Sequence, residues 1–235
     1  MGFGIKTYLF YVLDEALGKH DWFGAGAGYH IWQGKRIRAM IEHYGVRFFE
    51  GKTLLELGAG YGDIGNVFSL LGAKVTCLEG RKSHVAEIKR RYTGVTAIQH
   101  NLNEPLPPSA NKADFIIHFG LLYHLGDPEA SLRNTCRACK FMALETECCD
   151  SDDPNFTRTV SEHAFWQDHA IDGKGSSPSP AFVERILTEE GMEFERVTDD
   201  RCNAEEHFYD WPLKNTGITK KGMRRFWFAK KKSVA

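Results

Sequence analysis

The stretch Thr53-Leu-Leu-Glu-Leu-Gly-Ala-Gly-Tyr-Gly-Asp-Ile-Gly65 sets an acidic side chain, Glu56, just before three alternate glycines, Gly58, Gly60 and Gly62. Bare glycine backbone bends sharply and approaches a ligand closely. Glu79 ends the next apolar run, roughly 20 residues on, where a carboxylate can accept hydrogen bonds from both hydroxyls of a ribose. A glycine bend followed by an acidic strand end is the chemistry of a nucleoside-bearing cofactor. A tight turn with no ligand would explain the glycines but not Glu79 at that spacing. Gly60-Tyr-Gly62-Asp-Ile-Gly65 also spells the G-x-G-x-x-G of dinucleotide sites. Asp63 argues against a dinucleotide, because it stands at the expected helix N-terminus where a pyrophosphate would sit. A carboxylate there repels phosphate but caps a helix well. Glu56 lies where a ligand ammonium or its ordered waters would be.

Further along, His124 follows an apolar run, and its unperturbed pKa near 6.5 suits a general base. His163, Asp168 and His169 are secondary candidates. Glu145 and Glu147, at another strand end, could orient an acceptor. Cys136-x-x-Cys139 has the spacing of half a zinc site, but no second pair completes it. A metal-dependent site needs several oxygen ligands converging, and none is evident, so no metal is expected.

Elements must bring these residues together. The alternating apolar pattern predicts strands over 53–57, 74–78, 96–100, 114–118, 141–145, 193–198 and 223–229. Helices are expected over 63–71, 83–91, 128–139 and 180–190. Strand and helix alternate, which implies an α/β chain with a parallel sheet covered on both faces and a ligand beyond the carboxyl ends of its strands. Two further helices, over 3–17 and 31–43, flank a small-residue break at 24–28 and form an N-terminal helical cap over 1–48. The main domain is then 49–235. The segment 148–179 breaks the rhythm. It is polar and carries Phe156, Phe165 and Trp166, as expected of an insertion or lid over the pocket.

The chain has 235 residues, enough for one such domain with decorations. A net charge of −1 gives no bulk field toward nucleic acid or membrane. The basic tail Lys230-Lys-Lys232 reads as a solvated end. Six scattered cysteines fit reduced thiols in a cytosolic, cytoplasmic enzyme. Cys77 packs as a small apolar group inside its strand. No run approaches the length of a membrane span, and no signal peptide is evident.

The loop Glu56-Leu-Gly-Ala-Gly-Tyr-Gly62 resembles the E/D-x-G-x-G-x-G stretch of class I S-adenosylmethionine-dependent methyltransferases. The run Ala113-Asp-Phe-Ile-Ile-His-Phe-Gly-Leu-Leu-Tyr-His-Leu-Gly-Asp-Pro128 resembles the family's fourth-strand motif. The resemblance implies a Rossmann-like seven-stranded, mostly parallel sheet with helices on both faces and the last strand antiparallel. It implies S-adenosyl-L-methionine as cofactor, held by Glu56, Gly58, Ala59, Gly60, Gly62 and Glu79, with Asn101, Leu102 and Phe119 around the adenosyl group. Within the family, the chain is most similar in motif to the catalytic half of bacterial tRNA wobble-uridine carboxymethyltransferases, through Gly120-Leu-Leu-Tyr-His124, Leu144-Glu-Thr146, Pro178-Ser-Pro-Ala181 and residues 224–230. There a lysine, a tyrosine and an arginine hold an extra carboxylate on a modified cofactor. Lys35, Tyr123 and Arg224 are the corresponding residues, and they could equally hold the ordinary cofactor's carboxylate or an acidic substrate.

The expected function is methyl transfer to oxygen or nitrogen of a small polar metabolite, sugar or natural product. His124 is the catalytic residue, and Arg224 and His163 lie on the acceptor side. Orientation supplies most of the catalysis, and a base is needed only for a hydroxyl or a protonated amine. An RNA methyl or carboxymethyl transferase is a second possibility, although an RNA enzyme should neutralise several phosphates with Lys and Arg. A non-catalytic cofactor-binding domain and a dinucleotide oxidoreductase are further alternatives.

Overall fold

A computed structural model describes residues 28–110, 112–166, 168–220 and 222–232. The helix expected over 3–17 lies outside the described residues. Seven strands form one sheet: β1 (Thr53–Leu57), β2 (Lys74–Glu79), β3 (Val95–Gln99), β4 (Ala113–Phe119), β5 (Cys139–Glu147), β8 (Met192–Val197) and β9 (Arg224–Lys231). A second, two-stranded sheet pairs β6 (Thr157–Ser161) with β7 (Lys174–Pro178). The helices are α1 (Gly28–Tyr44), α2 (Asp63–Leu70), α3 (Lys82–Arg91), α4 (Pro128–Ala138) and α5 (Pro180–Glu189).

The large sheet runs β3-β2-β1-β4-β5-β9-β8. The pairs from β3 to β5 are parallel, and β9 is antiparallel to both β5 and β8. The last strand alone therefore runs against the rest, as expected. The order reverses between β1 and β4, the position at which open α/β sheets bind ligands.

Residues of each central strand alternate between two cores. Leu54, Phe115, Phe226 and Phe228 face one side with Ile37, Met40 and Phe68. Leu55, Leu57, Ile116, Leu144 and Trp227 face the other with Leu132, Phe182 and Ile186. Burial on both faces explains why these strands read as continuous apolar runs. The sequence also sets helix starts: Asp127 and Ser179 accept the backbone N–H of Ala130 and Phe182, both at 2.9 Å, with proline at the first helical position of each. Ile37 and Met40 are fully buried in the same core as Leu54, which fastens α1 to the sheet.

Two local expectations change. Asp63 does not cap α2. Gly62 is the N-cap residue, and Asp63 is buried, accepting the Tyr92 hydroxyl 29 residues away, with Arg91 at 3.6 Å. Burial raises its carboxyl to about 7 against the pull of Tyr92 and Arg91. The 148–179 segment is also more regular than its polarity implied, since it contains the β6–β7 hairpin. Lys174-Gly-Ser-Ser-Pro178 has little intrinsic strand preference, but Gly175 to Pro178 are buried, and tertiary packing outweighs propensity there.

Candidate active site

A cleft of about 690 Å³ opens at the carboxyl ends of the parallel strands. Sheet order lays its lining out in sequence. Asn101 and Leu102 follow β3, Glu79 ends β2, Glu56 to Gly60 end β1, Phe119 to Leu125 follow β4, and Glu147 and Arg224 end the cleft at β5 and β9. With strands ~4.8 Å apart, β3 and β9 stand roughly 24 Å from each other.

The glycine loop turns through three left-handed residues, with φ of 64°, 56° and 76° at Gly58, Gly60 and Gly62. A side chain would be strained at each. Glu79 braces the turn, because its two carboxylate oxygens accept the backbone N–H of Gly60 at 2.8 Å and of Arg81 at 2.9 Å. Glu56 is buried beneath the loop and accepts the Gly65 N–H at 2.9 Å and the Cys77 thiol at 3.3 Å. Burial pushes its carboxyl up to about 8, against the two hydrogen bonds.

Beyond β4 a single 3₁₀ turn, Leu122–His124, presents two side chains to the cleft. His124 Nδ1 lies 2.7 and 3.0 Å from the two oxygens of Glu162. Glu162 Oε2 also accepts the Ala170 N–H at 2.7 Å. Burial would raise the Glu162 carboxyl, but the hydrogen bond and charge of His124, then the Ala170 amide, hold it below its usual value. The hairpin approaches this turn very closely. A Cβ at Gly175 would overlap the Tyr123 carbonyl and the Glu162 carboxylate.

At the β5–β9 end, Glu145 is completely buried between two guanidiniums, Arg36 Nη1 and Arg224 Nη1, each at 3.0 Å. Burial alone would raise its carboxyl, but Arg224 and Arg36 keep it below the usual range. Arg224 Nη2 donates to the Tyr123 hydroxyl at 3.0 Å. Trp32 packs under both arginines, 3.7 and 4.6 Å from ring centroid to guanidinium carbon.

Most of the residues singled out from the sequence meet in this one cleft: Glu56, Gly58, Ala59, Gly60, Glu79, Asn101, Leu102, Phe119, Tyr123, His124 and Arg224. Four do not line it. Glu145 is sealed between Arg36 and Arg224. Gly62 faces Ile88. His163 is exposed on the loop after β6, where its backbone N–H donates to His169 Nδ1 at 3.1 Å. Lys35 turns away and donates to the Asn203 carbonyl, and its neighbour Arg36 faces the cleft instead. Asp168 and His169 do reach the lining.

Sequence reasoning missed Arg36, Glu162 and His207, all in the lining. A signal existed for Arg36: it lies four residues after Trp32 and beside the apolar Ile37 and Met40, which fixes its helical face. No local pattern marks Glu162 or His207. Among the described residues no group of three or more His, Cys, Asp or Glu side chains gathers to hold a metal, and no helix is long and apolar enough to cross a membrane. The six cysteines are buried and free.

Residues 29–197 match a family model described as a methyltransferase domain. Protein N-lysine methyltransferase METTL21A of Danio rerio is 31% identical over 93 residues, a stretch covering 40% of this chain and only 38% of that protein. The N-terminal domain of EvdMO1 with SAH bound superposes with a TM-score of 0.67 at 18% identity, covering 97% of this chain and 96% of that one. The same domain was also solved in the presence of SAH and D-fucose. An S-adenosylmethionine-dependent methyltransferase from Mesorhizobium loti superposes with a TM-score of 0.57 at 15% identity, over 85% of this chain and 98% of that one. With the family model spanning most of the chain and the sheet order, glycine loop and cleft arranged as above, the chain belongs to the S-adenosylmethionine-dependent methyltransferase family.

Proposed function

We propose that this protein methylates a hydroxyl group of a small, polar, neutral acceptor such as a sugar, using His124 as general base and Glu162 to hold it. One observation carries this reading: the His124–Glu162 pair in the wall of the cleft. A carboxylate on Nδ1 keeps the proton on that nitrogen, so Nε2 carries the lone pair that can accept a proton from an acceptor hydroxyl. Glu162 then stabilises the imidazolium that forms. A primary or secondary hydroxyl is a poor nucleophile until its proton leaves, so a base held in this way matters more for oxygen than for an unprotonated amine.

The residues that would hold the cofactor fit it. Gly58 and Gly60 line the cleft, Glu79 stands beside them at the β2 end, where it would meet the ribose, and Asn101 and Leu102 line it after β3, where they would flank the adenosyl group. Bound there, S-adenosylmethionine supplies an electrophilic methyl group. The chain itself orients the acceptor, removes the proton through His124 Nε2 and covers the reacting groups with the β6–β7 hairpin and the loop after β6. Support for a small acceptor comes from the segment after β6, where Val160 to Glu162 and Asp168 to Ile171 narrow the cleft as part of its lining. A domain of similar fold solved in the presence of SAH and D-fucose favours a sugar.

The test is turnover, read as S-adenosylhomocysteine release, on a panel of neutral sugars, with tRNA and lysine-bearing protein substrates alongside. Methylation of tRNA or protein with none of any sugar would overturn the reading.

A further inference from the structure

Beyond the proposed base, the 203–211 segment between β8 and β9 walls the cleft through Glu205, Glu206 and His207. It carries His207, stacked on Trp32 with ring centroids 3.9 Å apart and an interplanar angle of 8°. Everything behind this imidazole is fixed. The Trp32 indole N–H donates to the Tyr209 hydroxyl at 2.7 Å. The backbones of Ala204 and His207 bond each other in both directions, at 2.8 and 3.0 Å. Asn203 accepts the Tyr209 N–H at 2.8 Å, Arg225 donates to the Tyr209 and Trp211 carbonyls, and Lys35 donates to the Asn203 carbonyl. Lys35, expected in the pocket, thus helps hold the segment that forms its wall.

Nearby side chains are polar, with carboxylates in excess. Two cations, Arg36 and Arg224, face Glu145 and Glu147, the latter beside Arg224 across the β5–β9 ladder, and Glu205 and Glu206, next to His207, add two more carboxylates to the lining. The Tyr123 hydroxyl accepts from Arg224, which leaves its own hydrogen free to donate elsewhere. Ser177 Oγ lies 3.5 Å from Glu147 and also lines the cleft. Burial first, then Arg224, lowers His207 to about 4, so its ring is neutral and offers one donor and one acceptor.

An anionic ligand is repelled by these carboxylates and loses its hydration on entry. A ring with several hydroxyls, each both donor and acceptor, suits a wall of tyrosine, imidazole, guanidinium and carboxylate.

We infer that the Trp32-backed imidazole of His207, together with Tyr123 and Glu147, forms a subsite that binds the neutral hydroxylated ring of the acceptor and sets specificity for it. This deepens the proposed function and rests on its sugar reading, but not on its base. His207 is a specificity-determining residue that touches substrate, separate from the proton transfer at His124.

The experiment measures binding rather than turnover. Protein saturated with S-adenosylhomocysteine is titrated with D-fucose and D-glucuronate by calorimetry. The wild type should bind D-fucose at least tenfold more tightly than D-glucuronate. His207→Phe keeps an aromatic plate on Trp32 and should weaken D-fucose roughly five- to tenfold, the worth of a lost hydrogen bond or two. Its affinity for S-adenosylhomocysteine should be unchanged, which also reports that the fold survives. His207→Gln, which keeps hydrogen bonding, should recover part of the loss. The inference is overturned if D-fucose does not bind, if D-glucuronate binds best, or if His207→Phe binds D-fucose like the wild type. The base reading falls by a different result, undiminished turnover in His124→Ala, whatever the sugar affinities.

Discussion

Replacing Glu162 with glutamine keeps its size and one acceptor oxygen but removes the charge facing His124. At 2.7 Å a unit-charge pair is worth ~6 kcal/mol in an effective dielectric near 20. The glutamine oxygen retains a neutral hydrogen bond, so about half of that, ~3 kcal/mol, is the expected loss in stabilising the imidazolium, or roughly a hundredfold in kcat. KM for the cofactor should not move, because the hydrogen bonds of Glu162 go to His124 and Ala170 and none to the glycine loop or Glu79. His124→Ala should lose at least as much. The double variant His124→Ala/Glu162→Gln should be no slower than His124→Ala alone, since the two act as a unit. The assay is steady-state S-adenosylhomocysteine release with a saturating sugar acceptor, together with calorimetry of S-adenosylhomocysteine to show that the pocket is intact. If Glu162→Gln retained kcat within about threefold while folded, proton transfer through this pair would be refuted and His124 would be a packing residue.

Glu79→Ala removes the acceptor for two loop N–H groups as well as the proposed ribose contact, and should weaken S-adenosylhomocysteine by about 1.5–3 kcal/mol; unchanged affinity in calorimetry would exclude the ribose role. Glu56 gives a stability signature. Its folded value, about 8, lies above its ordinary 4.5, so its contribution is fully present below 4.5 and is lost as pH rises through about 8. Glu56→Gln should therefore melt close to wild type near pH 5 and higher than wild type near pH 9, and a gap that stayed constant in thermal scans across that range would contradict the buried-carboxyl account. Gly175→Ala pushes the hairpin off Tyr123 and Glu162, and should cut kcat by ~100-fold, as a misplacement on the order of 1 Å does, while leaving S-adenosylhomocysteine affinity alone. Normal turnover in that variant would mean the hairpin does not position Glu162.

The glycine-loop half of the cleft was legible in the sequence because its parts are contiguous. Glu56, the glycines and Glu79 sit on one strand–loop–helix–strand unit, where spacing in sequence is spacing in space. The opposite half was legible only in fragments. Glu162 reaches His124 across 38 residues, through a hairpin whose strands have weak propensity and form only because packing demands it. His207 belongs to a segment without regular structure, and Trp32, its stacking partner, is 175 positions away in the chain. Lys35 and Arg36 differ by one position, which on a helix is about 100° of rotation. Charge alone could not choose between them, and the buried Trp32, Ile37 and Met40 do.

The placement of β9 between β5 and β8 has a consequence for how the molecule comes into being. β8 leaves the ribosome before β9 yet has no neighbour in the sheet until β9 arrives, and Arg224 rides on that late strand. During synthesis the glycine-loop end of the crevice can assemble from β1 to β4 while the Arg224 end stays unfinished. The two ends of the crevice are therefore completed at different times.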